Sequence, residues 1–241
     1  MPDKRRHRGP APADAKLFAP EQMPKLRQAL TDFSMLLTKQ YAEKSALKLV
    51  GDRFGLTARQ RLAVKRCACS DDQLVQRLQR QKAFSGLEGA DIMLDGYNVL
   101  ITIEAALSGA PVFIARDGCC RDLAGLYGTW RKVSETKPAI EIIGKCLQQT
   151  GALRILWLLD RPVSNSGRLS VLIRQIAGQN SYPWSVEVVN NPDRKLAATD
   201  WIVASSDSVV LGNCKRWINL AGKIIRNYLD KANLIDLSCS D

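Results

Sequence analysis

Three apolar runs of this chain lead to an aspartate, and this repeated pattern constrains the fold more than any other feature. The runs are Ile92–Leu94 before Asp95, Leu156–Leu159 before Asp160, and Trp201–Ala204 before Ser205-Ser206-Asp207. A short apolar run bounded by polar turn residues is typical of a strand buried on both faces of a parallel sheet. Because parallel strands gather their carboxyl ends at one edge, we expect these aspartates to meet there.

Helical periodicity fills the stretches between these runs. We predict strands at 90–95, 111–115, 153–159, 185–190, 201–206 and 233–237, and helices at 98–108, 134–149, 166–178, 193–199 and 215–228. Such alternation predicts an α/β fold, a three-layer parallel-sheet domain over residues 89–241.

The preceding residues, 21–88, predict a small all-helical bundle. Apolar residues recur at helical spacing from Leu26 to Leu37, and a second helix is expected over Lys39–Leu49. Thr57 with Gln60, and Ser70 with Gln73, have the spacing of capping boxes that start two further helices. Residues 1–20 are rich in Pro, Ala and charge and are expected to form a flexible basic tail.

The positive charge is distributed unevenly along the chain. The net charge is +11; residues 1–90 hold 18 Lys and Arg against 9 Asp and Glu, whereas residues 91–241 hold 17 against 15. This asymmetry favours a polyanionic partner, such as a nucleic acid, that is held by the first part while chemistry occurs in another. A solvated basic surface without a partner is the alternative.

Several kinds of chemistry are excluded by composition. The one histidine, His7, lies in the expected tail, so a His-based triad or a multi-histidine zinc site is nearly excluded. The seven cysteines lack zinc-binding spacing and, being odd in number, fit a reducing compartment. No run reaches the roughly 18 apolar residues that span a membrane, and the amino terminus lacks the apolar core of a signal peptide. We therefore expect a cytoplasmic protein with no membrane partner, in which carboxylates and a metal carry any catalysis.

Each strand-end aspartate has two interpretations. An aspartate after a strand is a common turn former or helix N-cap, and it is also a natural ligand of a hard divalent cation. Several aspartates at comparable strand ends favour a shared site, because clustered like charges cost free energy unless a cation or a function offsets them.

Two motifs resemble a known nuclease superfamily. Leu94-Asp95-Gly96-Tyr97-Asn98 resembles the opening strand of NYN-type members of the PIN-like nucleases, and Ala204-Ser205-Ser206-Asp207-Ser208 resembles their late strand. Asp193 lies where the superfamily places another acidic residue at a helix start. The resemblance implies that Asp95, Asp193 and Asp207 bind Mg²⁺ or Mn²⁺ and that the protein hydrolyses phosphodiesters, mostly in RNA. Asp160 or Asp122 would complete the set, in competition with Glu135 or Glu141.

Other polar residues near these motifs are candidates for substrate contact. Asn98 and Ser206 are expected to orient a metal-bound water or a phosphate oxygen. Arg121, Arg161 and Arg168 carry the planar donors suited to phosphate. Ser164 lies in a loop whose backbone amides could accept a phosphate at a helix start, or could equally form a capping turn.

The whole chain also resembles a prokaryotic domain-of-unknown-function family, number four hundred and thirty-four. This resemblance depends on Leu49–Arg53, Asp95–Asn98, the Asp117-Gly118-x-x-Arg121-Asp122 motif, Asp160–Gly167 and Ser206–Ser208. It implies family membership and no activity.

Two other functions remain open. One is a non-catalytic nucleic-acid-binding protein with a degenerate PIN-like domain, suggested by the basic amino-terminal part. The other is a phosphoester-handling enzyme of the parallel α/β type, although such enzymes usually carry Asp-x-Asp at the first strand, where this chain has Asp95-Gly96-Tyr97. The oligomeric state stays open.

Overall fold

The computed structural model describes residues 7–125 and 128–238. Five α-helices of the described part precede the first strand: α1 (Asp14–Leu17), α2 (Met23–Thr38), α3 (Glu43–Arg53), α4 (Ala58–Cys67) and α5 (Asp71–Arg80). Two short 3-10 helices, Pro20–Gln22 and Phe84–Gly86, lie among them and after them. Both predicted capping boxes are present, Thr57 with Gln60 at the start of α4 and Ser70 with Gln73 at the start of α5. The second helix was predicted over Lys39–Leu49, whereas α3 begins at Glu43 and continues through Gly51 to Arg53.

Strands and helices then alternate to the end of the described chain. The elements are β1 (Asp91–Asp95), α6 (Gly96–Leu107), β2 (Val112–Ile114), β3 (Cys120–Asp122), α7 (Thr136–Gln148), β4 (Arg154–Asp160), α8 (Ser166–Gln179), β5 (Trp184–Val189), α9 (Pro192–Ala198), β6 (Ile202–Ala204), α10 (Ser208–Asn213), β7 (Trp217–Ile218), α11 (Leu220–Tyr228) and β8 (Leu234–Asp236). The predicted α/β fold is confirmed at this level, whereas β3, α10 and β7 were not predicted.

The main sheet has five strands in the order β5-β4-β1-β6-β7, and every neighbouring pair is parallel. One face carries Leu94, Trp157 and Ala204 in a large core with residues of α6, α7, α8 and α11. The other face carries Met93 and Val203, which pack with Leu196 of α9 and with α10. Helices therefore cover both faces, as expected for the buried strands of a parallel sheet.

The strand order creates a crevice at the carboxyl edge of this sheet. The chain moves from β1 to β4 and β5 on one side, then returns to β6 and β7 on the other. Ligands of open parallel sheets bind at such a switch point, outside the carboxyl ends of the strands. Asp95 and the Ser205-Ser206-Asp207 loop flank this crevice.

A second sheet joins the helical segment to the α/β part. Its order is β3-β2-β8, with β2 antiparallel to β3 and parallel to β8. Phe113 of β2 packs edge-on against Phe18, with 4.8 Å between ring centroids, and shares a core with Phe33 of α2 and Ile235 of β8. Residues 21–88 therefore do not bury their apolar faces alone.

Residues 7–20, which were expected to belong to a flexible tail, contact the rest of the protein. Asp14 is 3% exposed and is paired with Arg59, and Arg8 is paired with the fully buried Glu104. These buried pairs hold the segment against α4 and α6; residues 1–6 of the predicted tail lie outside the described part. None of the described helices is both long and apolar enough to cross a membrane.

Candidate acidic site at the carboxyl edge of the sheet

Asp95 and Asp160 end two neighbouring strands. Asp95 is the last residue of β1 and lies opposite Leu158 of β4, and Asp160 ends β4 two residues later. Because the two strands are parallel and paired, both carboxylates lie at the same edge of the sheet. Both side chains are partly accessible to solvent.

Gly96, directly after Asp95, is required by a close approach to β4. A Cβ at this position would lie 2.6 Å from the carbonyl oxygen of Leu158, a backbone atom that cannot move aside. The glycine lets α6 start immediately at the end of β1, which fixes the position of Asp95 at the helix N-cap.

The loop after β6 is joined to the end of β1 by hydrogen bonds. Ser205 Oγ donates to Asp95 Oδ2 at 2.8 Å and accepts from the backbone N–H of Asp207 at 3.0 Å. Asn98 Oδ1 accepts from both the backbone N–H and the Oγ of Ser206, at 2.8 and 2.9 Å. Asn98 and Ser206 thus hold two strand ends together, a positioning role beyond the predicted one.

Asp207 is a helix N-cap, which is one of the two functions that the sequence left open. Its Oδ1 accepts from the backbone N–H groups of Val209 and Val210, at 2.8 and 3.1 Å, and so caps α10. Its Oδ2 accepts no hydrogen bond from the part of the chain that the structure describes. One oxygen of this carboxylate therefore stabilises the helix while the other stays available.

Asp193 reaches the same edge from the helix layer. It lies in the first turn of α9, which is capped by the side chain of Asn191. Leu196 anchors α9 in the core beside Met93 and Leu158. This packing places the start of the helix over the ends of β1 and β4.

Burial and neighbouring carboxylates raise the pKa of two of these aspartates, Asp95 and Asp193. Burial raises the pKa of Asp95 to about 7, the hydrogen bond from Ser205 opposes this, and the charges of Asp207 and Asp193 add to it. Partial loss of solvent raises the pKa of Asp193, and the charges of Asp207 and Asp160 raise it further. Burial also raises the pKa of Asp160. We call Asp95, Asp160, Asp193 and Asp207 the acidic edge.

The acidic edge has no cationic counterpart among the described residues. Within 7–125 and 128–238, none of its four carboxylates forms a salt bridge with Lys, Arg or His. No three Asp, Glu, His or Cys side chains of these ranges are close enough to enclose a metal ion. The carboxylates therefore interact through their charges without forming a closed cage.

Asp122, a further candidate, has other partners. It accepts from Thr102 Oγ1 at 2.7 Å and from the backbone N–H of Ala124 at 2.6 Å, and Arg66 lies 3.5 Å away. These contacts satisfy the carboxylate in β3, so it does not belong to the acidic edge.

Arg121 is not free to bind phosphate. It is 6% exposed; its Nη1 and Nη2 donate to the two oxygens of Asp117, at 2.8 and 2.7 Å, and its Nε donates to the carbonyl of Ser206 at 2.7 Å. Arg77 of α5 also donates to Asp117, at 2.7 Å, and to the carbonyl of Ser208 at 3.2 Å. This buried Arg77–Asp117–Arg121 triad holds the loop that carries Asp207.

The other predicted residues lie nearby or have different partners. Arg161 is exposed and donates to the carbonyl of Val188 at 2.9 Å, directly after Asp160. Ser164 is exposed and Arg168 lies in the first turn of α8. The competing acids of the helices are paired, Glu135 with His7 at 2.6 Å and Glu141 with Lys137 at 3.6 Å.

Sequence reasoning missed two features of the site. Tyr97 is 6% exposed, its hydroxyl makes no hydrogen bond with described residues, and burial followed by the charge of Asp160 raises its pKa. A cavity of about 250 Å³ beside Asp207 is lined by Tyr97 and Asn98 on one side and by Arg66 of α4 on the other. The motif Asp95-Gly96-Tyr97-Asn98 contained the tyrosine, whereas no local signal pointed to Arg66.

Comparison with known proteins divides the chain where the helical segment ends. Residues 84–223 match a family model described as "Domain of unknown function (DUF5616)", and residues 25–80 match one described as "Protein of unknown function (DUF434)". The sequence predicted that this second family would match the whole chain, whereas its model matches only the helical segment. Neither description names a PIN-like or NYN-type domain, so that resemblance stays a prediction.

One curated relative aligns with this chain over nearly the whole of the relative's own length. An uncharacterized protein of Methanocaldococcus jannaschii is 30% identical over 208 residues, which is 86% of this chain and 99% of that protein. No solved structure matches. The chain therefore belongs to the DUF5616 family and carries a DUF434-type helical segment ahead of its α/β part.

Proposed function

We propose that the acidic edge binds Mg²⁺ or Mn²⁺ and that the protein hydrolyses phosphodiester bonds in RNA. The observation that supports this most is electrostatic. Four carboxylates lie at a sheet switch point, where burial and the charges of Asp207 and Asp193 raise the pKa of Asp95, and none of the four forms a salt bridge with a cationic side chain of the described ranges. Such an arrangement costs folding free energy, and a bound cation would offset that cost.

The donor set fits a hard divalent cation. Such ions take oxygen ligands, and Mg²⁺ usually keeps several waters and uses only one or two carboxylates, so a closed protein cage is not needed. The carboxylates of Asp160 and Asp193 accept no hydrogen bond in the described ranges. When bound, the cation would make an attacking water more acidic and neutralise charge that develops on the phosphate.

The chain's own residues would position and tune this site. Ser205 fixes the orientation of Asp95, and the Asn98–Ser206 bonds keep the ends of β1 and β6 together. Asp95, with a pKa of about 7, carries a proton part of the time at neutral pH and would release it when a cation binds. The resemblance to PIN-like nucleases supports that fold type and supports RNA as the substrate.

The proposed place of action is the cytoplasm. The six cysteines within the described ranges are all buried and unpaired, which fits a reducing compartment.

Cleavage of a labelled single-stranded RNA in the presence of Mn²⁺ tests the proposal. The wild-type protein is expected to cut the RNA, and Asp95→Asn and Asp207→Asn are expected to lose at least about 100-fold in rate, equivalent to ~2.7 kcal/mol. Asp91→Asn is the matched control, because Asp91 starts the strand that Asp95 ends and is paired with Arg154. Activity that survives both edge substitutions would refute the assignment.

A second candidate function is non-catalytic binding of nucleic acid. Its support is the absence, among described residues, of three side chains able to enclose a metal, together with the excess of positive charge in residues 1–90. This alternative predicts salt-sensitive RNA binding with no Mn²⁺ binding at the acidic edge. Calorimetry with Mn²⁺ separates the two functions.

A further inference from the structure

A groove lined by cationic side chains lies at the start of α8, the helix that follows Asp160 in the chain. It has a volume of about 640 Å³ and is lined by Trp130, Arg131, Lys132, Asn165 and Arg168, with the exposed Val171 at one side. We call it the basic groove. Arg131 and Lys132 were not among the residues that the sequence suggested.

The three cations of the basic groove have no partners. Arg131, Lys132 and Arg168 are exposed, and none of them forms an ion pair or a side-chain hydrogen bond in the described part of the chain. No Asp or Glu of that part lines the groove. Residues 91–241 hold 17 basic against 15 acidic residues, so this concentration of positive charge is local and does not reflect the average.

Backbone hydrogen bonds join the basic groove to the acidic edge. The N–H of Trp130 donates to the carbonyl of Ser164 at 3.1 Å, and the N–H of Ser164 donates to the carbonyl of Gly128 at 2.9 Å. The same loop begins at Asp160, whose carbonyl accepts from Val163 at 3.2 Å. The wall of the groove and one carboxylate of the acidic edge thus belong to one short hydrogen-bonded unit.

Two further features favour an anionic occupant. Asn165 precedes α8 in the left-handed region (φ 70°) and donates its side-chain amide to the carbonyl of Trp130 at 3.0 Å, so it does not cap this 14-residue helix. The helix dipole therefore adds positive potential at the groove. Trp130 is 2% exposed, and its indole N–H has no acceptor among described residues.

We propose that the basic groove binds the phosphodiester backbone of a single nucleic-acid strand and leads it to the acidic edge. Guanidinium and ammonium groups neutralise phosphates, and Val171 offers an apolar surface to a sugar or base. A site with three cations on one short stretch of surface matches the phosphate backbone of one strand. That the groove leads the strand to the acidic edge rests on the proposed function, whereas binding of the strand in the groove does not.

Binding of a labelled single-stranded RNA of 12 nucleotides in EDTA, followed by fluorescence anisotropy, tests this inference. The triple variant Arg131→Gln, Lys132→Gln, Arg168→Gln is expected to raise Kd at least tenfold. Since a single strand loses about 0.7 in salt slope for each phosphate contact, the slope of log Kd against log salt should fall by about 2. The matched control changes three exposed cations of residues 91–241 that do not line the groove, Lys145→Gln, Lys215→Gln and Lys231→Gln, and should shift Kd less than twofold.

Each outcome decides the matter. Equal weakening in both triple variants, or no change in the groove variant, would overturn the proposal, as would a blunt duplex of the same sequence that binds more tightly than the single strand. Matched RNA and DNA strands that bind alike would still support a site for the shared backbone. EDTA removes divalent cations, so binding is measured without cleavage. If the protein binds RNA in the groove but does not cut RNA with Mn²⁺, the nuclease proposal is refuted and this inference stands.

Discussion

The hydroxyl of Ser205 donates a 2.8 Å hydrogen bond to Asp95 and so joins the loop after β6 to the end of β1. This bond spans the crevice at which the strand order of the sheet reverses. It is also the largest single interaction that lowers the pKa of Asp95 against burial. Ser205 thus controls both the position and the charge of the central carboxylate.

Ser205→Ala should raise the pKa of Asp95 further and lower stability by about 1 kcal/mol, the usual net worth of a hydrogen bond. The acid limb of the pH–rate profile for RNA cleavage should therefore move to higher pH. Ser185→Ala, an exposed serine of β5, should leave the profile unchanged. An unmoved acid limb in Ser205→Ala would contradict the tuning role.

Asp95→Asn should change how stability depends on pH. The folded-state pKa of about 7 lies above the ordinary aspartate value of 3.8, so the folded protein keeps a proton that the unfolded chain releases between these values. Stability therefore falls as pH rises through this window. In metal-free urea unfolding, Asp95→Asn should gain about 1 kcal/mol or more at pH 8 relative to wild type and show no such gain at pH 4.

An aspartate whose pKa is shifted in the opposite direction serves as the control for that experiment. Asp91, at the other end of the strand, has its pKa lowered by the hydrogen bond from Arg154. Asp91→Asn should therefore show no gain at pH 8. A gain of equal size in both variants would show that general charge, and not the acidic edge, is responsible.

Asp117→Asn should destabilise the protein by about 3 kcal/mol or more, because it leaves the buried cations Arg77 and Arg121 without their shared partner. Burial alone would raise the pKa of Asp117, but the two arginines outweigh it and lower the pKa to about 2. This contribution is therefore complete above pH 3.8 and is lost as pH falls towards 2. Urea unfolding at neutral and acid pH measures both effects.

The exposed Asp52 is the control for the triad. Its carboxylate contacts Lys48 and Arg61 at the surface, where ion pairs contribute little. Asp52→Asn should leave the urea-unfolding midpoint close to that of wild type. Equal losses in the two variants would contradict the structural role of the buried triad.

Gly96→Ala should lower both stability and activity, because the added Cβ would meet the carbonyl of Leu158 at 2.6 Å and push α6 and Asp95 away from β4. The matched control is Gly178→Ala in α8, where no atom lies within 4 Å of the added Cβ and helix propensity favours alanine by up to about 1 kcal/mol. Thermal unfolding and RNA cleavage of both variants check this. Wild-type behaviour of Gly96→Ala would contradict the close approach.

Much of the fold was accessible from local sequence patterns. The apolar runs before Asp95 and Asp160 identified β1 and β4, and the Thr57–Gln60 and Ser70–Gln73 spacings identified two helix starts. The missed strand β3 reads Cys120-Arg121-Asp122 and has no apolar run, and the missed strand β7 lies within the helix that was predicted over 215–228. The second sheet was missed because the antiparallel pairing of β2 with β3 depends on tertiary contacts.

The candidate site was predicted in part for the same reason. Strand-end aspartates meet because parallel strands share an edge, so the proximity of Asp95 and Asp207 followed from the chain alone. Whether a polar side chain is free depends on its partners in space. No local sequence pattern indicated that Arg121 is paired with Asp117, or that Arg66 of α4 reaches Asp122.

Calorimetric titration of Mn²⁺ tests the central claim most directly. At pH 7 the account predicts saturable binding to the wild-type protein, with a proton release that is detected by comparing buffers of different ionisation enthalpy, because Asp95 must lose its proton. Asp91→Asn should bind as wild type does, and the Asp95→Asn, Asp207→Asn double variant should bind at least about tenfold more weakly. Absence of Mn²⁺ binding to the folded wild-type protein, or equal binding by the double variant, would contradict the account.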